Sequence, residues 1–188
     1  MIVDDGRNGD ERDARQSTLG LPRHDVRLVT HDPRWPALYE LAAVELRACL
    51  GERIRDIEHI GSTAIPGLEA KPILDLMVAV SGLPLSEDFH GDLHDIGYQY
   101  RDLDTVPGRL FFAKGPESAR THYLSVCEVG SPFWISHLAF RDALRSDERL
   151  AQEYAALKRR LAQQFPHDRF EYSDAKAQFI RSVIAPHP

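Results

Sequence analysis

The sequence predicts an α/β protein of the α+β kind, with one mixed β-sheet, helices packed on it and a helical C-terminal part. Short apolar runs at Ile57 to Ile60, Ile73 to Val80, Arg109 to Lys114 and Thr121 to Val126 are bounded by Gly, Ser, Pro and Asp, as buried strands are. The stretches from Trp35 to Cys49 and from Leu150 to Phe165 repeat their apolar residues at helical spacing instead. Several strands follow one another before the helical C-terminal part begins, which points to a mixed sheet. A length of 188 residues suits one domain with a full core.

Residues 1–20 are polar and of mixed charge, so a flexible N-terminal tail is expected ahead of a single domain over 21–188. Val26 to Val29 reads as a short edge strand. Asp32-Pro33 is a helix start, with the acid as N-cap and the proline in the first turn. Trp35, Leu38, Ala42, Leu46 and Cys49 then share a face until Gly51 stops the helix. Ile57 to Ile60 forms a buried strand, Gly61-Ser62 a turn, and the following residues a loop or short helix ending near Lys71. Ile73 to Val80 is a second strand with Asp75 set into it.

Ser81 to Pro84 turns the chain into a helix around Ser86 to His94. Gly97 to Arg101 and Arg109 to Lys114 are strands joined by the loop 102–108, and Thr121 to Val126 is another. Ser131-Pro132 repeats the cap-and-proline pair before a helix through Trp134, Leu138 and Arg141. Leu150, Tyr154, Leu157, Leu161 and Phe165 make an amphipathic stripe, and Phe179, Ile180, Val183 and Ile184 a shorter one.

The composition, 43% hydrophobic and 28% charged, is that of an ordinary globular protein. A formal charge of -6 argues against general nucleic-acid binding, which uses basic surfaces. The two cysteines, Cys49 and Cys127, fall in core-like segments and are expected as free thiols in a reducing compartment. No apolar stretch resembles a signal peptide or a membrane span, so a cytoplasmic protein without a membrane partner is expected. The patterns GxxxxGK[ST], GxGxxG, HExxH, CxxC and GxSxG are absent, which leads away from P-loop enzymes, dinucleotide oxidoreductases, zinc proteases and serine hydrolases.

Candidate chemistry gathers between Asp56 and Val80. A residue without a Cβ at Gly61 lets a ligand approach the backbone, and Ser62 and Thr63 add hydroxyls and N–H groups suited to phosphate. Asp75 is the acid in an apolar strand, and burying it requires a cation, a donor or solvent. It serves either a salt bridge with Lys71 or an arginine, or a ligand. Alternation pairs Glu58 with Ile60 and His59 with Ile57, and either pair can face the site. Lys71 is a phosphate contact or a solvated loop residue. Arg109 and Arg120 flank the later strands, where a guanidinium can grip phosphate bidentately. His122 is a general base, a ligand for a metal other than Mg²⁺, or a hydrogen-bonded strand-end histidine. His137 and Arg141, four apart on a helix, can form a far pocket wall with His59. Tyr172 and Lys176 have lesser claims.

Gly61-Ser62, twelve residues, then Asp75-Leu76-Met77-Val78 resembles the signature of the nucleotidyltransferase superfamily. The fuller string IEHIGSTAIPGLEAKPILDLMV is similar to the GrpB family, a branch of that superfamily. The likeness continues through Arg109 to Phe112, Thr121 to Val126 and Trp134 to Arg141, covering residues 25 to 184. It implies a nucleotidyltransferase-like fold and metal-dependent transfer of a nucleoside monophosphate from an NTP to an unidentified acceptor, small or macromolecular. Gly61, Ser62 and Thr63 would hold phosphates, Asp75 and Glu58 would bind Mg²⁺ or Mn²⁺, and His122 would activate the acceptor. Met77 stands where the signature has a second carboxylate, and a thioether is a poor ligand for a hard cation. That departure favours an alternative, a catalytically reduced nucleotide- or metabolite-binding module.

Overall fold

The computed structural model describes residues 18–102 and 106–185, so most of the predicted tail and the middle of the 102–108 loop lie outside the described residues. In chain order the elements are α1 (Trp35–Leu50), β1 (Ile54–Ile60), β2 (Leu74–Val80), α2 (Glu87–Asp95), β3 (Tyr98–Tyr100), β4 (Arg109–Lys114), β5 (His122–Glu128), α3 (Pro132–Ser146), α4 (Glu148–Gln164), α5 (Arg169–Asp174) and α6 (Ala177–Ile184). The sheet order is β1-β2-β5-β4-β3. Only β2 and β5 run parallel, and the other neighbours are antiparallel. The sheet is mixed, as predicted, because the chain between β2 and β5 carries α2 and a β3–β4 hairpin before returning to the centre.

Alternation gives the sheet two unlike faces. Leu74, Leu76, Val78 and Val80 of β2 join Ile57, Phe112, Leu124 and Val126 and pack under Trp35, Ala42, Leu46 and Leu50 of α1 and Phe89 and Leu93 of α2. This is the main core. The register sets Asp75 opposite Ile60 and Tyr123, and Met77 opposite Glu58 and Ser125, on the second face. There α3 covers one end, with Trp134 against Ile60, Met77, Ala79 and Cys127. Helices α4 to α6 pack beyond it around Leu144, Tyr154, Leu161 and Tyr172.

Three local expectations are corrected. Val26 to Val29 is not a strand: the Val26 N–H donates to the Pro166 carbonyl and Val29 forms an isolated bridge with Ala70, so the segment serves two different partners. Asp32 does not cap α1. Its carboxylate accepts from the Arg34 N–H at 2.9 Å and from the Arg34 guanidinium, which holds it down to about 2, and the helix opens at Trp35 with Pro36 in the first turn. Residues 18–20, counted with the tail, are part of the fold, since the Gly20 N–H donates to Pro72 at 2.9 Å and Leu19 packs on the main core. By contrast, Ser131 caps α3 as its pattern predicts, accepting from the Trp134 N–H at 3.3 Å.

Candidate functional site

Gly61 ends β1 with φ +70° and ψ −171°, a conformation that glycine alone adopts readily. The chain then makes one short turn over Ser62–Ala64. That turn is held to α3, where Arg145 donates to the Ala64 carbonyl at 2.9 Å. A Cβ on Gly61 would lie 2.4 Å from Asp75 Oδ2 and 2.9 Å from Asp75 Cβ. Turn and aspartate are therefore in contact, brought together by the antiparallel β1–β2 register.

They open onto a cavity of about 520 Å³, within the roughly 300–1,000 Å³ range of small-molecule sites. Gly61, Ser62, Thr63, Lys71 and Asp75 line one side, and Arg109, Phe111 and Tyr123 continue it across β4 and β5. The opposite wall comes from α5 and the turn after it, with Arg169, Phe170, Tyr172 and Lys176. The sequence pattern placed Gly61, Ser62, Thr63, Lys71, Arg109 and Asp75 as candidates, and the fold brings all six to this one cavity.

The cations are mounted on rings. The Arg109 guanidinium lies 4.6 Å from the Phe111 centroid, and Arg169 lies 5.0 Å from that of Phe170 while donating to the Tyr123 hydroxyl at 3.1 Å. The Lys71 and Lys176 ammoniums sit 5.5 Å and 4.1 Å from the Tyr172 centroid. Tyr154 also lines the cavity, and burial pushes its hydroxyl up. Burial pushes the Asp75 carboxyl up, against the pull of Lys71, Lys176, Arg169 and Arg109. Burial likewise lowers Lys71, and brings Lys176 down to about 7. Four basic side chains thus surround one acid, an arrangement suited to a ligand carrying several negative charges, which favours the protonated form of both lysines.

The remaining candidates lie elsewhere. His122 faces the opposite side of the sheet, paired with Leu74, in a hollow beside α1 with Glu45 and Lys114. Burial lowers it to about 4, and its Nδ1 is 2.9 Å from the Thr121 hydroxyl, so a role as base at Asp75 is not kept. Tyr123, the next residue, holds the site position. His59 also lies on the far face, stacked on Tyr39 at 4.7 Å, with Nε2 3.0 Å from the Thr63 hydroxyl, and burial lowers it to about 3. Arg120 is buried away from the cavity, where it bonds Gln99, Glu117 and the Gly115 carbonyl. Arg141 ion-pairs with Glu58 and donates to the His59 carbonyl at 3.1 Å, bracing β1 against α3. His137 stacks on Phe133 with its Nδ1 2.8 Å from that residue's carbonyl oxygen. None of the five lines the cavity.

The donor set does not fit a protein-held Mg²⁺ or Mn²⁺. Such ions require several oxygen ligands, and among the described residues Asp75 is the one carboxylate on the cavity wall. Met77 is sealed in the apolar cluster beneath Trp134, and Glu58 is taken by Arg141. Among the described residues no three acids, histidines or cysteines cluster in a metal-holding group.

Arg169 and Phe170, missed from the sequence, stand in the first turn of α5, where the Asp168 carboxylate accepts from the N–H groups of Phe170 and Glu171 at 3.1 Å. The Asp168 cap was a readable signal for that helix, but nothing local linked it to Asp75.

A family model described as GrpB protein matches residues 25–185. The glutamate-rich protein GrpB of Alkalihalophilus pseudofirmus is 36% identical over 170 residues, covering 88% of this chain and 98% of that one. A UPF0157 protein of Streptomyces coelicolor is 37% identical over 160 residues, 85% of this chain and 82% of its own. The crystal structure of a conserved protein GrpB from Enterococcus faecalis matches with a TM-score of 0.75 at 34% identity, over 84% of this chain and 94% of that one.

Proposed function

The chain belongs to the GrpB family, and from that premise we propose that it binds a nucleotide, foremost a nucleoside triphosphate, by seating the phosphates in the cavity at Gly61 and Asp75. One observation carries the reading: the glycine-serine turn touches the aspartate at a point where Lys71, Arg109, Arg169 and Lys176 converge. Gly61 leaves room for a phosphate oxygen against the backbone, Ser62 offers a hydroxyl, and the guanidiniums offer forked donors. Phe170, exposed on the cavity wall, presents a ring to a nucleobase, and stacking of one base on an aromatic side chain is worth roughly 1–3 kcal/mol.

Calorimetric titration with ATP, GTP, CTP and UTP tests this directly. At least one nucleotide should bind saturably and lose about tenfold in affinity on Lys71→Gln, the ordinary consequence of removing a charged donor. Absence of binding by all four would overturn the proposal.

A second reading, nucleotidyl transfer, is favoured by the contact between Gly61 and Asp75, the pair that the family resemblance joins. An acceptor hydroxyl or amine would bond to the α-phosphorus, the bond to the bridging oxygen would break with pyrophosphate leaving, and the acceptor proton would pass to solvent. Incubation with α-labelled NTP and a cell extract separates the two readings. Label fixed to an acceptor by the wild type and lost in Asp75→Asn supports transfer, and saturable binding without fixed label supports a binding module.

A further inference from the structure

We propose that the polyphosphate enters this cavity as the free anion, without a divalent cation, its charge matched by Lys71, Arg109, Arg169 and Lys176. The inference rests on the reading of the cavity as a nucleotide site and says in what form that site takes its ligand.

The argument is one of charge and support. Three linked phosphates bear at least one negative charge each, and four basic side chains meet them from both walls: Arg109 and Arg169 as standing charges, Lys71 and Lys176 as amines that burial holds below their ordinary pKa and that an arriving anion favours in the charged form. Each has a fixed platform: Arg109 on Phe111, Arg169 on Phe170 with a hydrogen bond to Tyr123, and Lys71 and Lys176 on Tyr172. Cations held in place by packing neutralise a ligand without having to be ordered when it arrives. Neither lysine has a carboxylate within 4.0 Å of its amine among the described residues, so the charge each gains when an anion arrives is directed at the cavity rather than spent in an ion pair.

A divalent ion arriving with the nucleotide would cancel part of the charge this site is built to meet, and would do so among four positive groups. Among the described residues its one carboxylate ligand on the wall would be Asp75, which already lies in the field of both lysines and both arginines. Asp75 acts in this arrangement as an internal counter-ion that makes the empty cluster of cations tolerable. It is a positioning residue rather than a metal ligand, and the Gly61 backbone packed on its carboxylate keeps it in that place.

The test is titration of the full chain with ATP, once in EDTA and once with Mg²⁺ in excess over nucleotide. The affinity in EDTA should equal or exceed that with Mg²⁺, and Asp75→Asn, checked for folding by circular dichroism, should keep or strengthen binding in EDTA. Tightening of wild-type binding by Mg²⁺ of about tenfold or more, the range expected when a charge partner is added, would overturn the inference while leaving nucleotide binding itself in place. A loss of about tenfold in EDTA for folded Asp75→Asn would overturn it as well. Failure of ATP to bind in either condition, when another NTP binds, moves the same comparison to that nucleotide. Failure of every NTP refutes the nucleotide reading and the inference with it.

Discussion

Replacing Gly61 by alanine should destabilise the fold by about 3 kcal/mol, from two sources that the structure separates. At φ +70° and ψ −171° a side-chain-bearing residue is strained by roughly 1–3 kcal/mol. The new methyl would also sit 2.4 Å from Asp75 Oδ2 and 2.9 Å from Asp75 Cβ, and overpacking of this kind costs about 1–3 kcal/mol more. The carboxylate can rotate away, but Cβ is fixed by the β2 backbone, so part of the clash stays. Gly67 is the control: its φ is +76°, and an added Cβ would have nothing within 4 Å. Gly67→Ala should therefore lose only about 1–2 kcal/mol, the left-handed term by itself. Urea denaturation with linear extrapolation reads both values. Equal losses in the two variants, or a loss below about 0.5 kcal/mol for Gly61→Ala, would show that turn and aspartate do not press on each other as described.

Three further outcomes are expected. Burial lowers Lys176 to about 7 from its ordinary 10.5, so between these values the unfolded chain holds the proton that the folded chain releases, and stability rises with pH. Lys176→Met should accordingly gain most over wild type in urea midpoint below pH 7 and lose that gain as the pH approaches 10.5, whereas a difference independent of pH would refute the burial. His122→Gln should leave nucleotide affinity within about twofold of wild type, because the side chain lies on the other face of the sheet, and a larger change in calorimetry would contradict that placement. Arg141→Leu should cost about 2 kcal/mol in thermal or urea unfolding, since it strips Glu58 and the His59 carbonyl of their donor, and a neutral result would mean that the bridge is only a surface pair.

Much of the fold was legible because it is written over short distances. The Ser131 cap, the Gly51 stop of α1, the stripe of α4 and the apolar β2 each depend on residues a few positions apart, and each element was found close to its predicted bounds. Errors arose where a local signal had a stronger competitor. Asp32 had a cap's position but chelates Arg34 instead, and Val29 had a strand's composition but only Ala70 to pair with. The site divides along the same line. Gly61, Ser62, Thr63, Lys71 and Asp75 were found together because the β1–β2 connection is short. His122 and His59 were candidates by residue type, yet each is one position out of phase with the face that bears Asp75.

The sequence by itself determined the strand and helix segments, the glycine turn, the acid in its apolar strand and the family to which they belong. Only the tertiary structure decided which face of the sheet carries the cavity, that Glu58 is neutralised by Arg141, and that Arg169 and Lys176 stand across from Asp75. Alternation along a strand tells which residues share a side but not what covers that side. The docking of α4 to α6 against α3, Ile65, Leu68 and Val26, with Arg169 reaching Tyr123 of β5, sets that through contacts between residues far apart in the chain, and it turns one acid and scattered cations into a single charged pocket.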